Sequence, residues 1–275
     1  MNSDYRSFPV TCVLIGACIV VFVVLEVLGL LQGYALYNAG VLTPVALEQG
    51  RWYTLLTSMF MHGGILHLLC NMVSLYYAGS IIEDVFGPVR YLVIYFVAGI
   101  AGGLASMAMM VATGRMEAGV VGASGAIFGL FGVYAYLLAR EYHAPVVLMH
   151  APSADDVKDV LVLVGANILI GLSPGIAMEA HLGGLAAGLL VGIPLYELLR
   201  RTIKREIDAG LQPPSIARTK PQRDDGPLYD FEELQAAQDA AMAAQQAFFD
   251  EYDNAKPSER ADLEQTTSEA SIRKK

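Results

Sequence analysis

The chain has 275 residues, of which 55% are hydrophobic and only 16% charged, and its mean hydropathy is +0.46. No soluble domain of this size has an interior large enough for that much apolar surface, so the composition excludes a soluble globular protein and implies an integral membrane protein. The formal net charge of −9 is unevenly placed: residues 206–275 hold 15 acidic and 8 basic residues, the first 205 hold 12 and 10, and no basic patch argues for nucleic acid.

In chain order, apolar windows fall at about residues 9–32, 64–82, 88–112, 122–140, 158–175 and 178–199. Each is near the length of about 20 residues needed to span a bilayer. The first begins after a single basic residue, Arg6, and lacks a cleavage site, so it reads as a retained span rather than a signal peptide. Arg6, Arg90, Arg140, Lys158 and the cluster Arg200, Arg201, Lys204, Arg205 fall in loops on the side of the N-terminus, against Arg51 and Arg115 opposite. This asymmetry predicts six spans with both termini in the cytoplasm. Cys12, Cys18 and Cys70 lie within apolar spans and offer neither a disulfide framework nor metal-ligand spacing, and no cofactor is implied.

The first external connection, residues 33–63, carries Tyr34, Tyr37, Trp52 and Tyr53, the aromatics of a structural loop resting on the membrane. Glu26 is an ionisable group inside the first span, near its outer end, where it reaches water or a neighbouring helix. Gly99 and Gly103, four apart, predict a close-packing face on the third span. After Arg205 the character changes. Pro213, Pro214, Pro221 and Pro227 mark a polar linker, then a helix is predicted over about 228–252, with Phe231, Leu234, Ala237, Ala241, Phe248 and Tyr252 at near-helical spacing. Residues 1–205 thus read as a membrane core and 206–275 as an acidic cytosolic tail, solvated or weakly docked, with a cytosolic partner as the alternative.

Chemistry concentrates on three spans. Ser124, within Gly122-Ala123-Ser124-Gly125, opens the fourth, where free backbone N–H groups and the positive end of the helix dipole converge. Sixteen residues separate it from Arg140, roughly 24 Å of helix in a hydrocarbon core about 30 Å thick. Counting nineteen residues back from Arg200 places His181 roughly 28 Å from the cytosolic face, a comparable depth. Gly125, Gly129 and Gly132 on one helix, and Gly184 and Gly188 on the face of His181, allow the close approach that a Ser–His hydrogen bond requires. No carboxylate is placed to orient His181, since Glu179 lies two residues away on another face, so a dyad rather than a triad is expected. On the second span His67 and Asn71 share a face. With the Ser124 N–H they form a candidate oxyanion hole, while His62 braces the external loop and Asn71 has interhelical bonding as its alternative.

These residues, His67-x-x-x-Asn71, Gly122-x-Ser124-Gly125 and His181-x-x-Gly184-x-x-x-Gly188, resemble the rhomboid family of intramembrane serine proteases. So does Arg51-Trp52-Tyr53-Thr54-Leu55-Leu56-Thr57-Ser58-Met59-Phe60-Met61-His62, which looks like the family's first loop running into its second helix. The resemblance covers about residues 9–200. It implies an all-α, six-helix rhomboid-like bundle, a Ser124–His181 dyad, and an oxyanion hole of His67, Asn71 and the Ser124 N–H. It implies membrane-protein substrates with small, helix-weakening residues near the cut, entering laterally past the fifth span and the loop Leu172-Ser173-Pro174-Gly175-Ile176. The expected location is a cytoplasmic membrane of prokaryotic type. The chain departs from the family pattern at Tyr53, where an arginine often follows the tryptophan. It departs again at Phe128, where a tyrosine often packs on the histidine; the phenyl ring can still stack there. Two rival readings are a rhomboid-like pseudoprotease that escorts membrane clients, whose members typically lack the serine or histidine, and a transporter using His67, Asn71 and His181 as a proton path.

Overall fold

The computed structural model describes residues 8–32, 35–148, 152–153, 157–158, 161–162, 164–165, 167 and 177–211, with the backbone alone at 26–32. The helices are α1 (Pro9–Gln32), α2 (Ala35–Gly40), α3 (Pro44–Glu48), α4 (Thr54–Thr57), a 3-10 turn (Ser58–Phe60), α5 (Ile65–Phe86), α6 (Pro88–Ala112), α7 (Ser124–His143) and α8 (Met178–Asp208). Among the described residues the sole strand-like pairing is an isolated antiparallel bridge between Leu42 and Val120. Among the described residues three helices, α5, α6 and α8, are long and apolar enough to cross a membrane. The first and fourth predicted windows coincide with α1 and α7. Most of the fifth window, the loop 172–176, the side chain of Glu26, and the linker and helix predicted beyond residue 211 lie outside the described residues. α8 continues to Asp208, three residues past the expected end of the core.

Local sequence explains the joins. Phe86-Gly87-Pro88 turns α5 into α6 through one residue: Gly87 adopts a φ of +77° that favours glycine, and Pro88 opens α6, where its missing N–H is no loss. Glu83, buried on α5, accepts from the Val10 and Thr11 N–H groups at 2.9 and 2.8 Å and from the Thr11 hydroxyl at 2.8 Å. A carboxylate thereby satisfies the free donors at the start of α1.

Within the 33–63 connection, residues 35–63 carry the short helices α2, α3 and α4 and the 3-10 turn. The Thr43 hydroxyl caps α3 by accepting from Ala46 N–H at 2.9 Å, with Pro44 in the first turn. Leu42, fully buried, packs with Met107 and Met110 of α6 and with Leu55, so the loop is anchored on α6 while Trp52, Tyr53 and Leu56 face outward. Outward aromatics of this kind suit a segment lying on a bilayer.

α6, α7 and α8 pack as the central trio. A Cβ at Gly184 would collide with the Gly125 carbonyl, and one at Gly188 with the Gly129 backbone. One at Gly102 would lie 2.5 Å from the Ala180 carbonyl oxygen. Backbone touches backbone here, which only glycine permits. The predicted pair Gly99 and Gly103 faces elsewhere, against Met59, Ala126, Leu42 and Leu55, and it is Gly102 that meets α8. The sequence contains three glycines within five positions, and spacing alone did not tell which face meets which neighbour.

Candidate active site

Ser124 is the first residue of α7 and His181 lies in the first turn of α8. With α7 and α8 in glycine contact, the Ser124 hydroxyl and His181 Nε2 stand 3.0 Å apart, within the hydrogen-bond range a nucleophile–base pair needs. His181 is buried, and its ring stacks on Phe128 with centroids 4.2 Å apart and planes at 7°. Phe128 sits one turn beyond Ser124 on the same helix, so α7 presents both the hydroxyl and the surface that holds the imidazole. His181 Nδ1 has no hydrogen-bond partner among the described residues. With Nε2 accepting from the serine hydroxyl, the proton belongs on Nδ1, an assignment made from the bonding pattern. Glu179 turns away to pair with Arg115 at 3.5 Å.

The approach to Ser124 is fixed from two sides. Gly122 has a φ of +121°, and its N–H donates to the Ser58 carbonyl at 2.9 Å. A Cβ there would lie 2.7 Å from His67 Nε2. The His67 ring therefore rests on the turn two residues before the serine. Its Nδ1 accepts from the Gly63 N–H at 3.5 Å, which leaves the ring proton on Nε2, the nitrogen facing that turn. Asn71, buried one turn further along α5, donates from Nδ2 to the His67 carbonyl at 2.8 Å, and its Oδ1 has no partner among the described residues. One N–H of its amide remains free for another acceptor. His62 is buried with its ring edge-on to His67 at 5.2 Å. Burial drives the His62 imidazole down to about 3, with His67 acting in the same direction.

The structure thus brings Ser124, His181, Phe128, Gly122, His67 and His62 into one neighbourhood, with Gly184 and Gly188 forming the seam beneath them. Two contributors carry no signal in the sequence. The Ser58 carbonyl is a backbone group, and the Arg115–Glu179 pair joins residues 64 positions apart. Among the described residues no His, Cys, Asp and Glu cluster could hold a metal ion.

A helical membrane protein with a serine and a histidine hydrogen-bonded at the starts of two glycine-packed helices is the class that this fold and site define. The chain belongs to the rhomboid family: the Rhomboid domain matches residues 49–198. It is 31% identical over 160 residues to RHOMBOID-like protein 5 of Arabidopsis thaliana, covering 58% of this chain and 49% of that one. To RHOMBOID-like protein 2 of the same plant it is 34% identical over 143 residues, covering 52% and 42%. To the rhomboid protease GluP of Bacillus subtilis it is 32% identical over 158 residues, covering 54% and 27%. The chain therefore spans half or less of the length of these relatives.

Proposed function

We propose that this protein is an intramembrane serine protease that hydrolyses peptide bonds in or near the transmembrane segments of other membrane proteins. The observation that carries the reading is the 3.0 Å contact between the Ser124 hydroxyl and His181 Nε2, with the imidazole clamped on Phe128. In this scheme the Ser124 oxygen attacks the substrate carbonyl carbon as His181 Nε2 takes its proton. The oxyanion that forms faces the Ser124 N–H, His67 Nε2–H and the free N–H of Asn71. His181 then gives the proton to the departing amine, and the peptide bond breaks. A water, deprotonated by the same nitrogen, releases the acyl group and restores the serine.

The names of rhomboid proteases among the relatives support the same reading. The proposed topology is six spans with both termini cytoplasmic, which the basic-residue asymmetry supports, in a cytoplasmic membrane of prokaryotic type. Ser124 then lies below the external face, within reach of water from that side. Substrates are proposed to enter laterally, and a cytosolic partner is proposed for the acidic tail, residues 206–275.

The test is cleavage of a model single-span substrate in detergent. Ser124→Ala and His181→Ala should each lose several orders of magnitude in rate, because members of a catalytic unit fail together. Their melting midpoints should stay close to the parent. Substantial cleavage by either variant would overturn the dyad.

A further inference from the structure

The glycine seam between α7 and α8 raises a mechanical problem. From Gly125–Gly184 through Gly129–Gly188 the facing surfaces are backbone without side chains, and further along Leu185 and Leu189 pack on Gly132 and Val133 on Gly192. Such a surface permits close approach but interlocks weakly against sliding, since interdigitated side chains are what fix one helix along another. A displacement of one helical turn, about 5.4 Å, would carry His181 out of reach of Ser124.

The other ends of the same two helices supply directional contacts. Glu141, in the last turn of α7, is fully buried. Its Oε2 accepts from the N–H groups of Val146, Val147 and Leu148 at 2.8, 2.9 and 3.0 Å. Its Oε1 accepts from the Tyr196 hydroxyl of α8, and Arg200 Nε lies 4.0 Å from that oxygen. Arg200 Nη2 also donates to the Ala144 carbonyl at 3.1 Å. Beside this cage Glu197 of α8 accepts from Tyr136 at 2.9 Å and Arg140 at 3.1 Å, both on α7. The proposed reaction uses none of these groups. A buried carboxylate is costly unless its bonds are made, so the cage has one low-energy arrangement and resists sliding.

We propose that the Glu141 carboxylate, caged by the Val146–Leu148 N–H groups and bonded to the Tyr196 hydroxyl, fixes the axial register of α7 against α8 and so positions Ser124 against His181. Glu141 and Tyr196 are positioning residues, distant from the reacting atoms. The inference rests on the dyad reading for its kinetic consequence, but the register itself can be read without any catalysis.

The first readout is chemical cross-linking. A Cβ at Gly192 lies 3.2 Å from the Val133 Cβ, near disulfide spacing. In a background of Cys12→Ala, Cys18→Ala and Cys70→Ala, the pair Val133→Cys and Gly192→Cys should cross-link readily under copper–phenanthroline oxidation. Adding Tyr196→Phe, which removes one hydroxyl and keeps the ring, should slow that cross-linking several-fold. The second readout is kinetic. Tyr196→Phe and Glu141→Gln, assayed well below their melting midpoints, should lower kcat at least about tenfold with KM within about twofold, since small misplacements of reacting groups are costly. If Glu141→Gln does not fold, Tyr196→Phe carries the test. Unchanged cross-linking together with kcat within twofold would overturn the proposal. Cross-linking slowed by Tyr196→Phe, together with a wild-type protein that never cleaves, would sink the dyad and leave the register device standing.

Discussion

Gly122 controls the approach to Ser124 through two independent demands. Its φ of +121° disfavours any side chain, and its Cα faces His67 Nε2 with no room for a Cβ. Gly122→Ala should therefore displace the imidazole or the serine turn, lowering the cleavage rate about 10²-fold and the melting midpoint by several degrees. Rate and thermal unfolding measured on one preparation check it, and an unchanged rate would mean that His67 yields without consequence. His62 makes a prediction in pH. Its folded value is near 3 against an ordinary 6.5, so the buried ring stays neutral while the unfolded chain binds a proton below 6.5. The stability tied to that neutral ring is complete above pH 6.5 and drains away as pH falls toward 3. In His62→Phe the midpoint should fall less steeply across that window; parallel curves would contradict the assignment. The shared neighbourhood of Ser124 and His181 was legible because each depth can be counted from a basic residue, Arg140 and Arg200. The Ser58 carbonyl and the Arg115–Glu179 pair were not, since both depend on loop paths that periodicity does not encode.

Among the helices, the glycine row His181–Gly184–Gly188 was legible as one face of α8 because helical spacing fixes it. The close-packing face predicted on α6 is found at Gly99 and Gly103, against Met59, Ala126, Leu42 and Leu55, but spacing did not single out Gly102 as the residue that meets Ala180 of α8. The cage around Glu141 could not be read at all, because its main partners are the N–H groups of residues 146–148, whose path is set by folding. The seam predicts its own failure. Gly184→Ala places a methyl against the Gly125 carbonyl, and overpacking of this kind typically costs about 1–3 kcal/mol. The expected outcome is a lowered midpoint and a loss of cleavage greater than the unfolded fraction explains, read by activity per folded molecule. Activity in proportion to folded protein would show that the seam serves stability alone.

For the molecule as a whole, composition was enough to identify a helical membrane protein, and three ordered motifs were enough to reach the rhomboid family. Composition could not reveal the helices inside the 33–63 connection, because Thr43, Pro44 and Leu42 act through a cap and a buried wedge against α6. A chain ended at Gly210, just past the observed end of α8, should cleave a detergent-solubilised substrate at close to the full-length rate, because the proposed topology has both termini cytoplasmic and Ser124 near the external face. Loss of cleavage in a folded truncation would reveal coupling across the membrane. The central claim is that Ser124 is a nucleophile activated by His181, and covalent labelling tests it without any knowledge of the natural substrate. A serine-directed fluorophosphonate should form one adduct, mapped by mass spectrometry to Ser124, with labelling strongly slowed in His181→Ala and absent in Ser124→Ala. Absence of labelling in the folded, detergent-solubilised parent, or equal labelling of all three proteins, would contradict the account.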